Sequence, residues 1–237
     1  MYFVAICLVV LAKADLIPVK KKLSASENFD LHLFEELLTT KVDGKDRLGA
    51  LFHSDIEKLL KSLEHDFPEI LSISSIGKSY LGRPINMLTL DARNYLVQQQ
   101  FNEHTAKKEI VKNYHLKPAI VITGQHHSRE VITSSMVLYS VLKMIHGGIV
   151  HNDKKYTNML IQNKYYVIPT VNVDGLAYIE ENYLKNGVLL NKRTNMDIHS
   201  NLCSQTDAGV DLNRNYGFRF GQGDAAKKEC QADNYHG

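Results

Sequence analysis

His127 and Glu130 stand three residues apart in the stretch Gly124-Gln-His-His-Ser-Arg-Glu130, an imidazole and a carboxylate at a spacing that lets both face one metal ion. Zinc accepts these donors at about 2.0–2.2 Å, and catalytic zinc sites commonly use three protein ligands and leave one position to water. The spacing alone says little, because His32 and Glu35 share it on an amphipathic N-terminal patch with no flanking turn. Context separates the two pairs. Ala119 to Thr123 reads as a buried strand, Gly124 turns the chain, and Val131 to Ile145 is apolar nearly all round, as a buried helix would be. His127 and Glu130 therefore sit at the carboxyl end of a strand, where open α/β sheets place their ligand crevices. His126 reads as a packed or hydrogen-bonded neighbour.

A second constellation, Asp211-Leu-Asn-Arg-Asn215, carries complementary chemistry. Arg214, with its planar fork, and Asn213, with its amide, can clamp a carboxylate. Asp211 can accept the second ring proton of a ligating histidine and so fix its tautomer. The alternative for this segment alone is an ordinary turn held by Asx hydrogen bonds.

These groups need a scaffold, and the chain is long enough to supply one. Its 237 residues are 44% apolar and 23% charged, enough for a substantial core in one domain. A formal net charge of +2 with interspersed signs offers no basic face for nucleic acid or an anionic membrane, which leaves small or peptidic ligands. Helical spacing of Ile56, Leu59, Leu60 and Leu63 predicts a helix ending before Pro68, opened by Ser54 as N-cap with Glu57 three residues on. Ile70 to Ile76 and Ile85 to Leu90 read as a hairpin about the turn Gly77 to Pro84, and Tyr165 to Val171 as another strand. Residues 92–117 are polar with weak helical pattern and read as an insertion. Alternating strands and helices of this kind predict an α/β sheet with helices on its faces.

The first fourteen residues join an apolar run, Tyr2 to Leu11, to Ala12-Lys13-Ala14, the small-x-small pattern of a signal-peptidase site. The run is too short to span a bilayer, and a buried core strand is the other reading. Residues 15–49 read as an N-terminal extension or short pro-segment, and 50–237 as the main domain. Removal of a leader takes Cys7 with it and leaves Cys203 and Cys230, which in an oxidising compartment would form a disulfide worth about 3–4 kcal/mol, or else remain two thiols.

Taken together the motifs resemble the zinc metallocarboxypeptidases of the carboxypeptidase A/B type. The resemblance runs from about Ser54 to Gly237 through Ile76-Gly-Lys-Ser-Tyr-Leu-Gly-Arg-Pro84, His127-Ser-Arg-Glu130, Val173-Asp-Gly175, Gly209-Val-Asp-Leu-Asn-Arg-Asn215 and Tyr235-His-Gly237. It implies a carboxypeptidase-like α/β fold, with a mixed, mostly parallel sheet and helices on both faces. It implies a secreted enzyme that binds zinc and removes C-terminal residues from peptides or proteins with a metal-activated water. By resemblance His127 and Glu130 are zinc ligands and Arg129, Asn213 and Arg214 contact the substrate. Arg193 stabilises the oxyanion, although Lys192 stands before it where the family usually has an aromatic residue. Cys203 and Cys230 resemble the disulfide of the pancreatic type.

The family's third ligand, a histidine, its general-base glutamate, its capping tyrosine and its pocket residues are expected beyond Gly237. Within the chain only His199 and His236 remain as replacements. The expectation is thus the front part of a carboxypeptidase. The alternatives are an inactive homologue that binds peptide C-termini and an enzyme completed by another chain.

Overall fold

Ile56, Leu59, Leu60 and Leu63 fall on one face of a helix, and all four are buried in α1 (His53–Asp66). A computed structural model describes Phe34 and residues 49–100, 118–199 and 201–237, the side chains of Gln99 and Gln100 excepted. The expected leader over 1–14, nearly all of the extension over 15–49, and the pair His32 and Glu35 lie outside the described residues. Phe34 and Gly49 are the exceptions, and Phe34 is a core residue whose ring lies 5.8 Å from that of Tyr139. The start of the α1 helix differs from expectation. Phe52 occupies the N-cap, and Asp55 Oδ2 accepts its N–H at 3.1 Å. Ser54 instead donates its amide and hydroxyl to Glu180, a partner 126 residues away that no local pattern could reveal.

β1 (Leu71–Lys78) and β2 (Pro84–Leu90) form the expected antiparallel hairpin, with a register shift at Ile76. The segment read as an insertion begins with a helix, α2 (Arg93–Gln100), which buries Tyr95, Leu96 and Val97. Three consecutive apolar residues make no periodic stripe, so the pattern hid it. β3 (Ala119–Thr123) leads through the Gly124 turn into α3 (Ile132–Ile145), which ends in a π-helical turn, His146–Val150. α4 (Lys154–Gln162) is capped by Asp153, whose carboxylate accepts the Lys155 N–H at 2.8 Å. β4 (Lys164–Ile168) and α5 (Val173–Asn186) follow, the latter stopped by Gly187 in the left-handed conformation.

The four strands lie in the order β1-β2-β4-β3. The sheet is mixed and the architecture α/β, as expected, but its balance is different. Of three pairings among the described strands, β1–β2 and β2–β4 are antiparallel, and only β3–β4, joined through α3 and α4, is parallel. The short hairpin turn dictates the first, since parallel neighbours need a long crossover. One face, with Leu71, Leu88, Leu90, Tyr165 and Val167, belongs to the single hydrophobic cluster that also takes in the buried stripes of α1, α3, α4 and α5. Residues alternating with these, Ser72, Ser74, Val121 and Thr123, are exposed. Among the described residues the helices therefore gather on one face, a disposition that antiparallel sheets tolerate.

The hairpin tip is tied to α5 by one buried carboxylate. Asp174 accepts Ser79 Oγ at 2.8 Å, the Leu81 N–H at 2.9 Å and Arg83 Nη1 at 2.9 Å. This joins two of the sequence motifs, around 76–84 and 173–175, in a purely structural contact. Asp174→Ala strands a partly buried arginine and two other donors, so a loss of about 2–3 kcal/mol is expected in urea unfolding. A midpoint equal to wild type would show that the tip does not depend on this carboxylate.

Candidate metal centre

Gly124 leaves β3 at a point with no room for a side chain, because a Cβ there would lie 2.5 Å from the Pro169 carbonyl oxygen. The β3–β4 ladder continues past the strands through Gly124 N–H to Ile168 O, Val171 N–H to Gly124 O and Asn172 N–H to Gln125 O. Gln125 follows with φ at +52°, an unfavourable conformation for a residue with a side chain. It is held there because its amide donates to Thr133 Oγ1, its side-chain nitrogen donates to Ser128 O, and its side-chain oxygen accepts from Ser134. The turn that presents His127 is thus over-determined by buried hydrogen bonds.

Ser128 anchors the same turn from below. Its amide donates to Arg193 O and its hydroxyl to Thr194 O. It packs against the first turn of α5 at Gly175, where a Cβ would come within 1.8 Å of Ser128 Oγ. A glycine is required there, which explains why the Val-Asp-Gly segment belongs with the histidine motif.

His127 lies between two carboxylates. Its Nδ1 is 2.8 Å from Glu130 Oε1 and its Nε2 is 3.1 Å from Asp211 Oδ1. The ring is buried at 7% exposure, Asp211 is fully buried, and Glu130 is open to solvent. Asp211 also accepts Arg193 Nε at 2.8 Å and the Asn213 N–H at 2.9 Å. Its own N–H donates to Tyr235 O, so the Tyr235-His-Gly237 motif fastens the Asp211 segment in place. The hydrogen bond to Asp211 raises the His127 pKa above its ordinary value against the pull of burial, with Glu130 acting in the same direction. Burial pushes Asp211 upward, but the bonds from His127 and Arg193 outweigh it and hold the carboxyl below its usual range.

The pair fits zinc in its donor set. Nδ1 and a solvent-facing carboxylate oxygen lie side by side, close enough to converge on one cation as a nitrogen and an oxygen ligand once the proton between them is lost, while Nε2 is committed to a buried aspartate. The fit covers two ligands. Among the described residues no group of three or more His, Cys, Asp and Glu is placed to hold a metal ion. The candidate replacements are occupied elsewhere: His199 pairs with Asp197 at 2.7 Å and edges Tyr80, and His236 bonds the Gly237 carbonyl and edges Phe220.

The remaining candidates are placed as follows. Arg193 meets His127 indirectly through Asp211. Arg129 donates to Asn191 at 3.2 Å and to Asp233 at 3.0 Å. Arg214 donates to the Asn213 carbonyl, and Asn213 is exposed. The structure does not draw Arg129, Asn213 and Arg214 into one contact network. Cys203 and Cys230 form a disulfide across 27 residues. His126, read as a neighbour, bonds the Tyr216 hydroxyl, a partner that sequence reasoning missed. Burial lowers the His126 pKa, and the charge of His127 acts in the same direction.

Sequence reasoning also missed the part played by Lys192. It is fully buried, and its Nζ donates to Thr194 Oγ1 at 3.0 Å, Gln205 O at 2.7 Å and Ala208 O at 2.8 Å. Burial pulls the ammonium from 10.5 down to about 8. A base lowered in this way binds its proton less tightly folded than unfolded, so its burial costs stability below that value and the cost is relieved as pH rises toward 10.5. Relative to Lys192→Met, the wild-type chain should gain up to about 3 kcal/mol between about pH 8 and about pH 10.5, read by urea unfolding at both ends. Identical pH slopes for the two chains would contradict this.

Residues 56–237 match the family described as zinc carboxypeptidase. The chain is 31% identical over 185 residues to carboxypeptidase B of Astacus astacus, covering 78% of this chain and 50% of that protein. It is 27% identical over 176 residues to an inactive metallocarboxypeptidase of Uncinocarpus reesii, covering 74% of this chain and 26% of that protein. The crystal structure of thrombin activatable fibrinolysis inhibitor superposes with a TM-score of 0.60 at 23% identity, over 79% of this chain and 39% of that one. The chain therefore spans half or less of the length of these relatives.

Proposed function

Because this chain belongs to the zinc carboxypeptidase family, we propose that it is a secreted metallocarboxypeptidase acting on peptides or proteins with a free C-terminus, with His127 and Glu130 as zinc ligands. The observation that carries the reading is His127, its Nδ1 turned to Glu130 and its Nε2 to fully buried Asp211. When bound, zinc supplies Lewis acidity at the scissile carbonyl. Asp211 holds the proton on Nε2, which leaves the Nδ1 lone pair for the ion. Arg193, oriented through its Nε bond to Asp211, donates to the oxygen on which negative charge develops. Asn213 and Arg214 grip the terminal carboxylate and Arg129 contacts the substrate, each in the role its motif carries. The leader over 1–14 directs secretion and residues 15–49 form the extension, while 50–237 belong to the peptidase domain. Among the described residues no helix is long and apolar enough to cross a membrane.

A second reading has its own support. The chain brings together two metal ligands and no third among the described residues, and relatives include proteins named inactive metallocarboxypeptidase. In this reading the carboxylate-gripping residues bind peptide C-termini without cleaving them.

Zinc content after dialysis, paired with release of the last residue from a blocked dipeptide, separates the two. About one zinc per chain with chelator-sensitive release supports the peptidase. Binding of a free-carboxylate peptide without release supports the second reading. His127→Ala should lose zinc at concentrations where the wild-type chain retains it, and retention by that variant would remove His127 from the site.

A further inference from the structure

Lys192 is a costly residue to bury, since an ammonium moved out of water must be compensated by close partners. Its three hydrogen-bond acceptors are all neutral oxygens, one on its own segment and two on the turn that follows Cys203. In that turn the Asp207 and Ala208 amides both donate to Ser204 O, while the Gln205 and Ala208 carbonyls point back at Lys192. The chain through Lys192, Arg193 and Thr194 alternates sides. Lys192 and Thr194 are buried at 0% and 1%, and Arg193 between them faces the site and bonds Asp211. Thr194 Oγ1 also donates to Ala208 O, the Asn195 amide donates to Val210 O, and the Val210 amide donates back to Asn195 Oδ1. Asp211 follows immediately. The ammonium thus ties the two segments together beside Arg193, and the Arg193–Asp211 bond joins the same two segments.

We propose that Lys192 is a positioning residue for the Arg193–Asp211 pair, its buried ammonium holding the 204–208 turn against the 192–195 segment so that guanidinium and carboxylate meet. The inference rests on the reading of Arg193 as an oxyanion donor for its catalytic meaning, though not for its geometry. Cys203–Cys230 and the Gly209 N–H to Glu229 bond hold the same loop from its outer side. These tethers keep the loop folded when the lysine is lost, but they do not reach the 192–195 segment. The Lys192 contacts and the Asn195–Val210 pairing therefore set the register, and an apolar replacement takes the lysine donor from the Gln205 carbonyl and leaves the Ala208 carbonyl with Thr194 Oγ1.

The Arg193 Nε–H proton provides the direct readout, since a proton held by a buried carboxylate exchanges slowly and resonates apart from those of solvated arginines. In the full chain labelled with nitrogen-15, that signal is assigned by its loss in Arg193→Lys. Lys192→Met is expected to accelerate its exchange at least about tenfold, the signature of a bond that opens about ten times as often. Lys192→Gln, which retains two donors, should fall between the two and serves if the methionine variant does not fold. A role confined to loop stability would lower the melting temperature in both variants and leave the Arg193 signal in place, and that result overturns the proposal. Affinity for a peptide with a free C-terminus, against its amidated form, is measured alongside. If the wild-type chain does not distinguish the two peptides, the carboxypeptidase reading fails while the Arg193 resonance still decides the role of Lys192.

Discussion

Asp211→Ala should destabilise the chain by about 3–5 kcal/mol, the usual cost of removing one partner from a buried ion pair. The carboxylate is fully buried and receives three donors, His127 Nε2, Arg193 Nε and the Asn213 N–H. Without it a guanidinium with 16% of its side chain exposed has lost its anion. Asp211→Asn tests a different part of the same site. The amide keeps the shape and can still accept from Arg193, but its nitrogen must then face His127 Nε2 as a donor. That arrangement moves the imidazole proton to Nδ1, the nitrogen turned to Glu130, where a metal would need a lone pair. The amide nitrogen also takes the acceptor from the Asn213 N–H, which shares Oδ1 with His127, so the asparagine variant should lose some stability, though less than alanine, and about 10–100-fold in zinc affinity. Calorimetric zinc titration with urea unfolding on both variants gives the answer. Wild-type zinc affinity in Asp211→Asn would show that the tautomer of His127 is not set by this residue.

Gly175→Ala should cost about 3 kcal/mol, more than a glycine-to-alanine change usually costs inside a helix, where alanine is the better helix former. The new methyl would lie 1.8 Å from Ser128 Oγ, 2.8 Å from Ser128 Cβ and 2.7 Å from Asn172 Oδ1. Ser128 cannot swing away freely, because its hydroxyl bonds Thr194 O and its amide bonds Arg193 O. Asn172 caps α5 through the Gly175 N–H, so its retreat would unmake the cap. The strain is passed to the residue beside His127, and zinc affinity should fall along with stability. Thermal melting of the two chains reads the first effect and zinc titration the second. A variant as stable as wild type would mean that α5 and the Gly124 turn separate more easily than their contacts indicate.

Much of the scaffold was legible in the chain because local patterns determine it. The stripe Ile56, Leu59, Leu60, Leu63 could bury only as a helix, and Ala119 to Thr123 is a strand at the positions expected. The site was legible at its centre for a related reason. His127 and Glu130 share one turn, and Asp211 lies in a motif whose aspartate suits a histidine's second nitrogen, so residue type and spacing already pointed to the contacts that His127 makes. What stayed hidden depends on partners distant in sequence. Ser54 turned from cap to hydrogen-bond donor to Glu180, the Arg93–Gln100 segment became a helix that buries Tyr95, Leu96 and Val97, and Lys192 became an internal cation, each because of a neighbour contributed by another part of the chain.

The sequence by itself determined the family and most of the elements that carry the candidate site, since these follow from residue type, period and motif order. Only the tertiary structure decided which groups meet. It put Arg193 on Asp211 and Ser128 against Gly175, joined Cys203 to Cys230, and kept His199 and His236 apart from His127. It also made two of the three described strand pairings antiparallel. The physical reason is that hydrogen bonds and buried charges are satisfied by whatever lies within about 3 Å, and at that range neighbours are chosen by packing, not by position along the chain.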